Sequence, residues 1–193
     1  MWFIQGHDNH PFAYIKDFVT ARECLDIITM GQQQPMEPAL VNLDHENLKS
    51  VTSTVRQCQN SWIKPSDTSA WLFRRLVDGI DHLNREYYDF DITGLEDLQF
   101  TLYQGQGDHY GQHCDAGYKT NQNRKLSVSL QLSDPNLYRG GDLRFYTSEQ
   151  GQPAPRAQGT LIVFPSYLLH QVDPVTEGLR HSLVTWVVGP RFR

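Results

Sequence analysis

No apolar run in the 193 residues approaches the roughly 20 that a membrane-crossing helix requires, so a helical span is not expected. The first residues, Met1 to Asp8, show no basic stretch followed by an apolar one, and no secretory leader is predicted from them. Cysteine is scarce. Cys24, Cys58 and Cys114 are an odd number with no C-x-x-C spacing, which argues against a disulfide framework and predicts a reducing, cytoplasmic setting. Basic charge is also short: 17 Lys and Arg against 22 Asp and Glu leave a formal net charge of −5. A sequence-independent grip on nucleic acid needs a basic surface, so nucleic acid is not the expected partner despite the local pairs Arg74-Arg75 and Arg124-Lys125. Internal repeats and low-complexity linkers are missing too, and one domain spanning 1–193 is the expectation.

What is present divides into a helical half and a strand-rich half. Phe12 to Ile15 has the composition of a short edge strand. Thr20 and Glu23 have the spacing of a capping box, in which each satisfies an otherwise orphaned amide at a helix start, and Gly31 closes the run, predicting a helix at about 20–31. Residues 32–47 read as loop, and 51–57 as a candidate strand. Trp71, Leu72, Leu76, Ile80, Leu83 and Tyr87 recur at three- and four-residue steps after Pro65-Ser66-Asp67. That periodicity predicts a helix over 67–88 whose apolar stripe packs on a sheet. Beyond Gly94 the period drops to two: Leu98, Phe100 and Leu102 face one way, Gln99, Thr101 and Tyr103 the other. Gly105, Gly107 and Gly111 predict a loop, and further strands follow at 125–133, 143–146, 160–164 and 182–188. Two helices followed by many short strands predict an α+β fold whose antiparallel part closes as a barrel or jelly roll.

The chemistry centres on Tyr110-Gly111-Gln112-His113-Cys114-Asp115. On a strand end, His113 and Asp115 point to one face, and Cys114 between them points to the other, where it is expected to pack rather than ligate. One more histidine on that face would complete a set of two imidazoles and one carboxylate. Such a set leaves coordination positions open and suits non-haem Fe(II) oxygenases, though it is also a catalytic zinc set. His7, His10, His45, His82 and His181 are read as surface or satisfied core residues. His109 precedes His113 by four, a helical metal-pair spacing that the glycines argue against, and it is placed outside the ligand set. Trp186 and Phe145 are expected in the core, Trp62 is a candidate substrate-facing aromatic on a loop, and 116–123 is a candidate lid.

Around that centre lie Tyr103, Gly140-Gly141-Asp142-Leu143-Arg144-Phe145, the run from Ser133 to Gly141, and the run from Phe164 to Ser182 that holds His170, Pro174-Val175-Thr176, Gly178 and Arg180. Over roughly 98–190 these pieces resemble the Fe(II)- and 2-oxoglutarate-dependent dioxygenases of the prolyl 4-hydroxylase-like superfamily, and most of all their PKHD-type hydroxylase branch. The resemblance implies a double-stranded β-helix (jelly-roll) core at 96–193, and residues 1–95, read from their own pattern as helices and edge strands, are expected to support it. It implies His113, Asp115 and His170 as metal ligands and Arg180 as the partner of the distal carboxylate of 2-oxoglutarate. Arginine suits that task because its planar fork bonds a carboxylate bidentately and never deprotonates. Tyr103 and Ser182 are candidate hydroxyl donors to the same cosubstrate.

The expected cofactors are Fe(II), 2-oxoglutarate and O₂, with ascorbate a further candidate. The expected reaction is hydroxylation of an unactivated C–H, with succinate and CO₂ as co-products. A prolyl residue of a peptide or protein is the substrate the resemblance suggests, and a free amino acid or other small molecule is the alternative within the class. From other classes, a zinc-dependent hydrolase and a β-barrel used only for binding are the competing readings. The hydrolase leaves Arg180 and Tyr103 without a role.

Overall fold

The computed structural model describes residues 11–39, 55–116 and 123–191. The first helix, α1 (Ala21–Gln32), starts as expected: Thr20 Oγ1 accepts from the Glu23 amide, and the Glu23 carboxylate accepts from the Thr20 amide at 2.8 Å. The second, α2 (Ala70–Leu83), begins three residues later than Asp67, with Ser69 at its N-cap, and it continues into a π-helical turn over Asn84–Tyr88. Cys24 and Ile27 of α1 and Leu72, Leu76, Ile80 and Leu83 of α2 are buried together. Each such side chain contributes about 1.5–3 kcal/mol by leaving water.

The helices cover one face of an antiparallel sheet in the order β1 (Ala13–Ile15), β12 (Leu161–Pro165), β8 (Arg124–Gln131), β13 (His170–Val188), β6 (Leu98–Gln104), β4 (Gln59–Ile63) and β2 (Glu37–Pro38). Strand alternation splits this sheet cleanly. Leu98 and Phe100 of β6 and Leu126, Val128 and Leu130 of β8 pack towards the helices. Gln99, Thr101 and Tyr103, and Ser127, Ser129 and Gln131, point the opposite way, and all six are buried as well. A strand whose polar half is also buried must face a second layer. That layer is formed by β7 (Asp108–His113), β9 (Tyr138–Gly140) and β10 (Leu143–Phe145), with the small strands β3 (Arg56–Gln57) and β11 (Gln152–Pro153) at its rim. Phe12, Tyr103, Tyr138, Phe145, Ile162, Phe164 and Val175 fill the space between the layers.

One strand belongs to both layers. The N-terminal part of β13 pairs with β7, β9 and β10, and the part from Leu179 onward pairs with β6 and β8. Sequence periodicity predicts only 182–188 as strand because Pro174 and Gly178 interrupt the pattern. Both residues sit where the chain needs them. Pro174 lies on a bulge, where a missing ladder donor does little harm. Gly178 has φ +73°, and a Cβ there would lie 2.1 Å from the Leu137 carbonyl oxygen.

The expected edge strand near residue 14 is present as β1, and 56–57 of the predicted 51–57 strand is β3; residues 51–54 lie outside the described ones. Trp62 lies on strand β4 rather than in a loop, and Asp108–His113 is a strand rather than the loop its glycines suggest. The antiparallel two-layer arrangement with helices on one side is the α+β double-stranded β-helix expected. Among the described residues no helix is long and apolar enough to cross a membrane.

Candidate active site

His113 stands at the end of β7 directly opposite His170, the first residue of β13. Between His113 and Tyr110 the strand takes three steps while its partner takes two, from His170 to Val172. The extra residue is a β-bulge at Gly111-Gln112. Regular alternation would put Tyr110 and His113 on opposite faces; the bulge brings both rings inward and stacks them, with centroids 3.5 Å apart. His170 is 5 % exposed and is boxed by the edge of Phe164 at 4.7 Å and by Phe145.

Each imidazole is oriented by its own backbone. His113 Nδ1 lies 2.8 Å from the Gly111 carbonyl and His170 Nδ1 lies 2.8 Å from the Leu168 carbonyl. A carbonyl only accepts, so both Nδ1 atoms carry the proton and both Nε2 lone pairs are left for another partner. They converge on Asp115: Nε2 of His113 is 3.6 Å from Oδ1, and Nε2 of His170 is 3.5 Å from Oδ2. The ligand atoms of the three residues lie within 4.8 Å of one another, and this is the group among the described residues that could hold a metal ion. Cys114 points away, as alternation predicts, but it is exposed rather than packed. His109 turns its Nδ1 to the Gly107 carbonyl and stays outside the cluster.

Burial holds the His170 imidazole down to about 4, so it is neutral at ordinary pH and ready to donate a lone pair. Burial alone would push the Asp115 carboxyl up. The neighbouring His170 and His113 and the Ser127 hydroxyl outweigh that effect and hold it well below the usual carboxylate range. Burial and the adjacent Arg180 likewise lower His181, which is not the fully satisfied core residue expected: its Nδ1 meets the Ser133 hydroxyl at 3.1 Å, while Nε2 is buried without a partner among the described residues. These shifts fix the sign of a pH effect on the metal-free protein. The unfolded chain takes up a proton on His170 below 6.5 and the folded chain does so only near 4, so folding stability is full above 6.5 and falls as pH drops through that window. Asp115 adds its own loss only below 3.8. Thermal melts of metal-free protein are expected to give a Tm that declines steadily from pH 6.5 to pH 4, and a flat Tm across that range would refute the assignment.

On the same inward face, Arg180 is opposite Tyr103 and 1 % exposed. Its Nη2 donates to Gln131 Oε1 at 3.0 Å and its Nη1 to Ser182 Oγ at 3.4 Å, while Nε has no partner among the described residues. Among the described residues no carboxylate reaches ion-pair distance of it. A buried guanidinium without a counter-ion is costly and fits a site built for an anionic ligand. Tyr103 lies beneath it, with its ring centroid 5.2 Å from the guanidinium carbon, and burial pushes its phenol up, so the hydroxyl stays a donor. The Gly140-Gly141 pair serves this wall directly: Gly141 has φ +69°, and a Cβ there would lie 2.9 Å from Arg180 Cδ.

The structure also brings in residues that sequence reasoning missed. Ser127 and Ser166 sit behind Asp115, and Gln131 holds Arg180. Arg56 lies over the Tyr110 ring at 4.3 Å. Trp186 is buried as expected but carries Arg124 on its face at 3.7 Å, and Trp62, 45 % exposed, lies 6.5 Å from it. Of the candidate lid, 117–122 lies outside the described residues, as do His7, His10 and His45.

Comparison with known proteins agrees with this geometry. The family model described as the 2OG-Fe(II) oxygenase superfamily matches residues 98–188. A PKHD-type hydroxylase of Prochlorococcus marinus is 39% identical over 164 residues, covering 75% of this chain and 74% of that one. The chain belongs to the 2OG-Fe(II) oxygenase superfamily. The oxygenase is also 39% identical over 92 residues to a PKHD-type hydroxylase of Shewanella oneidensis, a match that spans 41% of that relative's length. In fold, it is similar to a Pseudomonas putida prolyl-4-hydroxylase, with TM-score 0.71, 21% identity and 94% of each chain covered. A Trichoplax adhaerens prolyl hydroxylase, solved in complex with a hypoxia inducible factor peptide fragment, gives TM-score 0.76 at 19% identity, over 94% of this chain and 84% of that one. The oxygenase is therefore an enzyme that uses Fe(II), 2-oxoglutarate and O₂, and the hydrolase and binding-only readings fall away. Two preset imidazole lone pairs with a carboxylate, and a buried guanidinium without a counter-ion, fit those two groups.

Proposed function

We propose that this oxygenase hydroxylates a prolyl residue of a peptide or protein. His113, Asp115 and His170 would hold Fe(II), and Arg180, aided by Tyr103 and Ser182, would hold the distal carboxylate of 2-oxoglutarate. The observation that carries the reading is Arg180, a cation sealed on the same inner wall as the metal-competent triad with only neutral groups bonded to it. When bound, Fe(II) with 2-oxoglutarate and O₂ supplies the oxidising power that places a hydroxyl on an unactivated C–H, releasing succinate and CO₂. The chain supplies placement. Its backbone carbonyls fix both imidazoles, Arg180 and Gln131 set the depth of the cosubstrate, and the Phe145–Phe164 wall keeps water from His170.

The prolyl assignment draws on the similar solved structures named prolyl hydroxylases and on the exposed ring of Trp62, an aromatic of the kind on which proline-containing segments dock. We take residues 1–193 as one catalytic unit, with 1–95 as support and 96–193 as the core, working in the cytoplasm with its thiols free. The test is succinate formation with Fe(II), 2-oxoglutarate and ascorbate, comparing proline-containing peptides with a panel of free amino acids. Peptide-stimulated succinate with a 16-Da gain on proline is expected. Stimulation by free amino acids alone would replace the peptide assignment with the small-molecule one.

A further inference from the structure

Behind the triad lies a pair of serines to which no function has yet been assigned. Ser127, on the inward face of β8, places its hydroxyl 2.6 Å from Asp115 Oδ2. The Ser166 hydroxyl lies 3.0 Å from that of Ser127, and both residues are fully buried. The direction of the chain is forced. An ionised carboxylate only accepts, so Ser127 donates to Asp115, and its oxygen is then the acceptor for Ser166. Ser166 grips the same turn a second way, because its carbonyl accepts from the Asp115 and Ala116 amides, both at 2.9 Å. Asp115 lies just beyond the end of β7, next to the segment that leads out of the cluster, so the β7 ladder does not fix it. Its side-chain rotation is set from β8 and from the residue following β12 instead.

We infer that Ser127, backed by Ser166, is a positioning residue for the metal: by committing Oδ2 to a hydrogen bond it presents Asp115 as a one-oxygen ligand through Oδ1. This rests on the assignment of His113, Asp115 and His170 as the metal ligands. It follows from donor chemistry. A carboxylate free to rotate can offer both oxygens and occupy a coordination position that the cosubstrate or O₂ needs. A hydroxyl at 2.6 Å weakens Oδ2 as a donor and fixes the rotation of the carboxylate, so the ligand is oriented before the ion arrives. Groups that orient ligands from behind in this way are typically worth about 10- to 100-fold in metal affinity.

The experiment uses the full chain stripped of metal, titrated with Mn(II) by electron paramagnetic resonance of the free ion and with Co(II) by visible absorption. Ser127→Ala is expected to weaken Mn(II) binding by about 10- to 100-fold and to change the Co(II) d–d bands, as a second carboxylate oxygen becomes available. Ser166→Ala should produce a smaller loss in the same direction, and Ser127→Thr, which restores the hydroxyl, should recover most of the affinity. Ser129→Ala, on the same face of the same strand and two residues away, controls for loosening of β8 and should bind Mn(II) as the parent does. Ser127→Ala with unchanged Mn(II) affinity and unchanged Co(II) bands would overturn the positioning role while leaving the triad assignment standing. An equal loss in Ser129→Ala would also overturn it, since the effect would then belong to the strand. A parent protein that binds neither ion would instead overturn the ligand assignment itself.

Discussion

Arg180→Met is expected to abolish 2-oxoglutarate turnover while leaving Mn(II) affinity unchanged. The hydrogen bonds of Arg180 go to Gln131 and Ser182 and not to the triad, so the metal site should not register its loss; the cosubstrate should. Removing one partner of a buried charge pair costs about 2–5 kcal/mol, roughly 30- to several-thousand-fold in affinity. The effect on the cosubstrate-free fold should be far smaller because two terms oppose. Methionine relieves a buried cation without a counter-ion, a change that is often stabilising. It also strands the Gln131 side-chain oxygen, which costs about 1–3 kcal/mol. The discriminating measurement is therefore ligand-induced stabilisation. At a cosubstrate concentration about 100 times Kd the Mn(II)-loaded parent should gain about 2.7 kcal/mol, a rise in Tm of roughly 5–10 °C. The Met variant should show no rise at that concentration, and a Lys variant, which keeps the charge and loses the fork, should fall between. A full rise in the Met variant would show that 2-oxoglutarate is held elsewhere.

The second large effect is expected at Asp115. Asp115→Asn preserves volume and an acceptor for the Ser127 hydroxyl, so the loop geometry should survive. What is lost is the single anionic member of the cluster, set against two imidazoles that backbone carbonyls orient towards it. By analogy with breaking a buried ion pair, about 3–5 kcal/mol, Mn(II) affinity should fall roughly 100- to several-thousand-fold, and succinate formation should drop to background. His109→Ala serves as the comparison, because its ring is turned to the Gly107 carbonyl outside the cluster. Parent-like metal affinity is expected for it. Tight Mn(II) binding by Asp115→Asn would refute the ligand assignment, and weak binding by His109→Ala would extend it.

The effects differ in what could have foretold them. His113 and Asp115 were legible because two residues on one strand end share a face whatever the rest of the fold does. Arg180 and His170 became legible only through the resemblance of the run from Phe164 to Ser182 to a known family. The serines were not. In β8 the sequence Leu126-Ser-Val-Ser-Leu130 reads as a strand with one face in water, since alternating polar residues ordinarily mean solvent. Only the second layer, built from β7, β9 and β10, turns that polar face into the wall of a site. The inward stacking of Tyr110 was hidden for a related reason: a bulge at Gly111-Gln112 shifts the alternation by one, and bulges depend on the partner strand. Pro174 and Gly178 hid half of β13, because each breaks a regular strand and each is suited to the bulge and corner where this one changes layers.

By itself, then, the sequence determined the helices, the period of the strands and the metal-competent residue types, because these follow from local spacing and side-chain chemistry, while Arg180 stood out only through the resemblance of the run that holds it. The tertiary structure decided which buried polar groups meet. Ser127 and Ser166 lie 39 positions apart, and their hold on Asp115 exists only because β8 and β12 pair in one register, with Phe164 opposite Ser127. Registers of that kind are fixed by the fit of a whole hydrophobic face against the helices, and no single segment carries that information.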